Sequence, residues 1–108
     1  MVNSRTKGHS YERHIVKQLR EIFPDCERSQ EGDSLDRAGV DLRGTGNLNI
    51  QAKRGRNYAP ITKIEEVKVT DGIPVLWTKG DRKREVVAMY ADDFVKILKD
   101  IGEVFGGN

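Results

Sequence analysis

GVDLRGTGNLNIQAK, residues 39–53, carries the alternation of two short strands joined by a tight turn. Val40 and Leu42 fall on one face of the first strand and Asp41 on the other. Gly44, Gly46 and Asn47 supply the turn, because glycine and asparagine tolerate the backbone angles that tight hairpins need. In the second strand Leu48, Ile50 and Ala52 share one face while Asn49, Gln51 and Lys53 share the other, the period of two expected of a half-buried strand. Pairing the two strands as a hairpin brings Asp41, Gln51 and Lys53 to one side of a sheet. A carboxylate, a side-chain carbonyl and an ammonium group are the donors that a hard cation and a phosphate require.

The flanks supply the rest of an α/β fold. Upstream, Tyr11, Ile15, Val16, Leu19, Ile22 and Phe23 recur at helical spacing, which predicts a helix over 10–23 with Ser10 as N-cap and Pro24 as stop. Residues 25–30 suit a polar edge strand, and residues 30–38, acidic and without apolar pattern, suit a mobile loop that contacts substrate. Downstream, Pro60 opens a helix over about 60–69 with Ile61, Ile64 and Val67 on one face. Ile73, Val75 and Trp77 alternate against Leu76, which predicts a central strand over 73–78. A basic turn, a strand over 84–90 and a last helix from Ala91 or Asp92 follow, with Phe94, Ile97, Leu98, Ile101 and Phe105 facing the core. The expected architecture is an α/β sandwich, a mixed sheet of about five strands flanked by helices. A basic arm over 1–7 and a tail over 106–108 complete a single domain over 1–108.

Glu12 is the misplaced residue of the first helix. It stands three and four positions before Ile15 and Val16, in line with the apolar stripe. The favourable dipole at a helix start, worth about 0.3–1 kcal/mol, explains an exposed glutamate there but not an inward one, since a buried unpaired carboxylate is costly.

Composition excludes several classes. No apolar run is long enough to span a membrane, and the opening MVNSRTKGHS has no apolar segment, so no secretory signal is expected. A single cysteine, Cys26, forms no internal disulfide and suits a small core residue in a reducing cytoplasm. His9, His14 and Cys26 lack the spacing of a transition-metal site, and Gly44 to Gly46 is too short for a phosphate-binding loop. The net charge is only +2, but its distribution is uneven. Residues 1–20 hold five basic groups against Glu12, and residues 43–63 hold five with no acid. Residues 21–41 hold seven acids against Arg28 and Arg37. Basic clusters beside the hairpin and in the turn at 79–84 suit binding to a polyanion. The expected phosphate contacts are Arg5, Lys7, Arg13 and Arg28 early in the chain, Arg54 and Arg56 after the hairpin, and Arg82 and Lys83 in the turn.

These residues carry a resemblance. KGHSYER at 7–13, RSQEGDS at 28–34, GVDL at 39–42, IQAK at 50–53 and IPVL at 73–76 resemble, in order, the motifs of the PD-(D/E)XK nuclease superfamily. Within it the chain looks most like the archaeal-type Holliday junction resolvases. The resemblance implies a restriction-endonuclease-like fold and a Mg²⁺-dependent DNA endonuclease, with Mn²⁺ as substitute. It also implies a homodimer that cuts paired strands of a four-way junction. Glu12, Asp41, Gln51 and Lys53 match the active-site positions, the first three toward the metal, and Ser29 or Ser34 matches the serine of a mobile loop. The chain departs from the pattern at Gln51, where the family has an acid; Gln51 to Arg54 is similar to the Q-x-K-R of Mrr-type restriction endonucleases. The alternatives are therefore a restriction-type or nicking nuclease, or a DNA-binding module without catalysis.

Overall fold

The computed structural model describes residues 4–55, 60–68 and 71–102, with side chains from residue 8 onward. Helix α1 spans Ser4–Leu19. Its Tyr11, Ile15, Val16 and Leu19 are buried, so the stripe read from the sequence does face the core. The boundaries differ. The helix starts at Ser4, so Ser10 lies inside it and is no cap, and part of the expected arm is helical. It ends at Leu19, where the amide of Ile22 turns back to the Leu19 carbonyl at 2.9 Å. That tightening swings Ile22 off the stripe and leaves it exposed, whereas Phe23 still packs against the core.

Strands β1 (Glu27–Arg28) and β2 (Leu42–Arg43) pair antiparallel. Between them Asp33 accepts the Asp36 amide at 2.8 Å and N-caps a short helix, α2 (Ser34–Arg37). The stretch 30–38, expected as an irregular loop, is thus a capped turn held by its own acids. Asp36 also accepts the Gly32 amide at 2.9 Å, the local bonding by which aspartate competes for backbone donors.

Strand β3 (Leu48–Arg54) runs parallel to β4 (Ile73–Lys79), reached through helix α3 (Pro60–Glu65). β4 is central because β5 (Val86–Met89) pairs antiparallel on its other side. Five strands form as expected, but in sheets of three and two. The expected hairpin does not form as a pair of strands: β2 pairs with β1 and β3 with β4, and one backbone bond, from the Asp41 amide to the Ile50 carbonyl, joins the two segments. The turn between them is glycine-dependent as expected, since Gly44 has a φ of 77°. A Cβ there would collide with the Asp25 carbonyl.

The alternation in β4 sorts its side chains as expected. Ile73 and Val75 join Leu42 and Ile50 under α1, with Trp77 packed against that cluster, while Leu76 is fully buried apart from it. Val40, expected on the same face as Leu42, is likewise buried outside the cluster. Residues 40 and 41 lie outside strand β2, so the alternation expected between Val40 and Leu42 does not hold. Just before them Gly39 has a φ of 84° and approaches the Glu66 carbonyl, 2.6 Å from where a Cβ would be.

The last helix, α4 (Ala91–Ile101), forms where expected, but its apolar stripe is not core. Only Ile97 packs against the central cluster. Phe94, Leu98 and Ile101 are exposed, as are Val86, Val87 and Tyr90. Phe105 lies outside the described residues. Asp92 and Asp93 occupy the first turn, as the helix dipole favours. No helix among the described residues is long and apolar enough to cross a membrane.

Candidate functional site

Asp41 stands where the two sheets meet. Its amide donates to the Ile50 carbonyl at 2.8 Å, and its carbonyl accepts the Ser29 amide at 2.8 Å. Its carboxylate oxygen Oδ2 accepts the Ala52 amide at 2.8 Å. Backbone and side chain are thus fixed by three bonds to two neighbouring segments. Burial pushes the Asp41 carboxyl up from 3.8 to about 6. The Ala52 amide and the Lys53 ammonium pull it down, while the charges of Glu12 and Asp36 push it further up. A half-buried acid with two other carboxylates in electrostatic range is short of positive charge.

Gln51 lies one residue before Ala52 and is only 4% exposed. Its amide nitrogen donates to Glu66 Oε2 at 3.1 Å. A carboxylate only accepts, so Glu66 fixes which end of the amide faces it. The Gln51 carbonyl oxygen is then buried without a hydrogen-bond partner. Such an atom costs on the order of 1–3 kcal/mol, and an oxygen-seeking cation would satisfy it. Sequence reasoning missed Glu66. It lies fifteen residues from Gln51 and stands in the chain as one more acid at the end of a helix. Its carboxyl is held below the usual range, first by the Lys63 hydrogen bond at 3.1 Å, and also by Gln51 and Lys53.

Lys53 acts electrostatically on both Asp41 and Glu66 and makes no ion pair within 4 Å among the described residues. Glu12 does point inward, with its side chain 14% exposed, but its carboxylate is paired to Arg28 Nε at 2.8 Å. That bond joins α1 to β1 and offsets part of the negative charge near Asp41. Ser29 is buried beside Asp41, and its hydroxyl has no partner. Ser34 is exposed as the first residue of α2. The structure therefore separates the two serines, one beside the acid and one on the surface.

The other expected phosphate contacts are more scattered. Arg54 turns away to Asp81 at 2.8 Å and the Lys79 carbonyl at 3.3 Å, tying β3 to the basic turn. Arg82 and Lys83 are exposed in that turn, where Arg82 adopts a φ of 59°. Arg13 is exposed on α1. Arg5 and Lys7 lie in the first turns of α1, where side chains are not described, and Arg56 lies outside the described residues. The turn is anchored by a second unforeseen acid. Glu85 accepts from Tyr11 at 2.8 Å, Trp77 at 3.0 Å and Gln18 at 3.1 Å, with His14 at 3.4 Å. Burial raises its pKa, and these four partners more than offset that. His14 is absorbed by this network rather than free for a metal.

Among the described residues no three His, Cys, Asp or Glu side chains gather closely enough to hold a metal ion. The oxygen donors that fit a cation here are Asp41 and the orphaned Gln51 carbonyl, with Glu12 in electrostatic range. No family model matches the chain, and neither a curated protein nor a solved structure does.

The raised Asp41 carboxyl has a consequence for stability. The folded state keeps its proton up to about pH 6, whereas the ordinary value is 3.8. Stability is therefore lost as pH rises through that window, by up to about 3 kcal/mol at 1.36 kcal/mol per pH unit. Asp41→Asn, which keeps an acceptor for Ala52, is expected to raise the melting temperature by roughly 5 °C or more at pH 8. At pH 3.5 it should leave it unchanged. Thermal melts at the two pH values check this, and an equal shift at both would mean that ionisation is not the cause.

Proposed function

We propose that this chain is a metal-dependent DNA endonuclease. It is structure-specific, resolving four-way junctions by paired nicks as a homodimer inside the cell. The observation that carries the reading is the buried, partnerless carbonyl of Gln51 in the same strand segment as Ala52, whose amide holds the buried Asp41 carboxylate, and Lys53, whose charge acts on that carboxylate. In this reading the five strands, with α1 on one face and α3 on the other, belong to a restriction-endonuclease-like sandwich.

Asp41 and the Gln51 carbonyl would hold Mg²⁺, or Mn²⁺ in its place, with Glu12 as a further oxygen donor. When bound, the ion would withdraw charge from a phosphate oxygen and make a water more acidic. Lys53 is placed to donate to the phosphate as negative charge grows on it or to orient the attacking water. Arg28 holds Glu12 toward the site and has donors left for a neighbouring phosphate. Glu66 is a positioning residue, since it aims the Gln51 carbonyl by holding the amide nitrogen.

The homodimer has its own support. Phe94, Leu98 and Ile101 recur at i, i+4 and i+7 on α4 and are exposed, an apolar helix face without cover among the described residues. A second copy would cover it by a two-fold contact, the commonest arrangement in homo-oligomers.

A synthetic four-way junction is expected to be nicked at paired positions in Mg²⁺, and at limiting Mg²⁺ activity should fall as pH drops, because a proton competes with the ion for Asp41. Asp41→Ala should abolish cutting. Equal cutting of linear duplex would point to a restriction-type enzyme, and tight binding without cutting to a DNA-binding module. Gln51→Glu should bind Mn²⁺ more tightly by calorimetry, yet melt lower without metal, because the new carboxylate meets Glu66. Adding Glu66→Gln should restore the melting temperature; unchanged Mn²⁺ affinity in both variants would remove residue 51 from the donor set. Sedimentation should find a dimer that Phe94→Asp with Leu98→Asp converts to monomer, and a monomeric native chain would overturn that part.

A further inference from the structure

A concavity of about 670 Å³ opens between α1 and β1, lined by Arg13, Val16, Lys17, Arg20, Glu27 and Arg28. Four of the six lining residues are cations, so the lining itself is selective. Its one acid, Glu27, is already held by Arg43 at 2.6 Å, which leaves the basic side chains in excess. Arg13, Lys17 and Arg20 recur at i, i+4 and i+7, one face of a helix. Over seven residues that face extends about 10 Å, and phosphates along one strand of a duplex rise about 3.4 Å each, so three cations match about three phosphates.

The donors are only partly committed. Arg20 uses its Nε to hold the Cys26 carbonyl at 2.9 Å, which braces the guanidinium and leaves its terminal nitrogens to face the groove. Arg28 likewise uses Nε on Glu12 at 2.8 Å. Lys17 is exposed and has no hydrogen bond or ion pair among the described residues. Among the described residues that line the concavity only Val16 is apolar and none is aromatic. A small apolar ligand has little to hold it, and an unstacked base has no ring to stack on.

We infer that this groove binds the phosphodiester backbone of one strand of a nucleic-acid duplex, without reading its sequence, and leads that strand toward Asp41 through Arg28 and Glu12. Lys17 and Arg20 are binding residues that the sequence motifs did not mark. The last step of the path rests on the nuclease reading; the binding itself does not.

The test is duplex DNA binding in a chelator, by fluorescence anisotropy over 50–200 mM salt, with a single strand of equal length alongside. Lys17→Ala is expected to lower the slope of log affinity against log salt by about 1, and Lys17→Glu to weaken duplex binding at least tenfold at low salt. Lys17→Arg should bind as the native chain does. Arg20→Lys, which keeps the charge but loses the brace to Cys26, should weaken binding less than Arg20→Gln. Lys17 is exposed and makes no hydrogen bond or ion pair among the described residues, so Lys17→Glu stays informative even if the Arg20 variants misfold. Native-like affinity and slope in Lys17→Glu overturn the groove, as does a loss confined to the single strand or a native chain that does not bind duplex. Junction cutting reads the other proposal separately. Binding that depends on Lys17 with no cutting leaves the groove standing and sinks the nuclease, whereas native-rate cutting by Lys17→Glu does the reverse.

Discussion

The fold depends on one acid being held at a seam. Asp41 is bonded through its amide to β3, through its carbonyl to the end of β1, and through its carboxylate to the Ala52 amide. The amide and carboxylate bonds join the two-stranded sheet to β3 at Ile50 and Ala52, beyond the bonds of Thr45 to Leu48 at the turn. A carboxylate held this way has a fixed position, and its cost is a carboxyl group kept out of water, which raises its pKa.

That cost is spread over neighbours rather than removed. Lys53 lowers the pKa of both Asp41 and Glu66, while Glu12, whose charge raises that of Asp41, is itself paired with Arg28. Glu66 in turn decides where the Gln51 carbonyl points, leaving a buried oxygen with nothing to bond. Gln51 is a neutral donor flanked by an acid from another element, so the negative charge lies on the segment after α3 while the carbonyl remains inside.

The helices serve different ends. α1 supplies the largest part of the core on one side and cations on the other, so a single element covers the sheet and lines the basic groove. α4 is amphipathic too, yet its apolar face meets little of its own chain. An apolar stripe states that a helix has a side to bury; it does not state against what. The same limit applies to Glu85, whose four partners come from α1 and β4 and give no sign of themselves in the residues around it.

What the sequence determined by itself were the features governed by local period. The alternation of Leu48, Ile50 and Ala52, the two-sided β4, the stripe from Tyr11 to Leu19, the inward place of Glu12 and the glycine turn at 44–46 could all be read there. These follow from where successive side chains point in strands and helices, which needs no knowledge of the partner. Tertiary structure alone decided the helix ends, the close approach of Gly39 to the Glu66 carbonyl, the exposure of the last helix, and the meeting of Gln51 with Glu66. It also decided that Arg13, Lys17 and Arg20 would face Arg28 across a groove. Each of these depends on groups distant in the chain competing for the same donors, surface or space, and that competition is settled only when the elements pack.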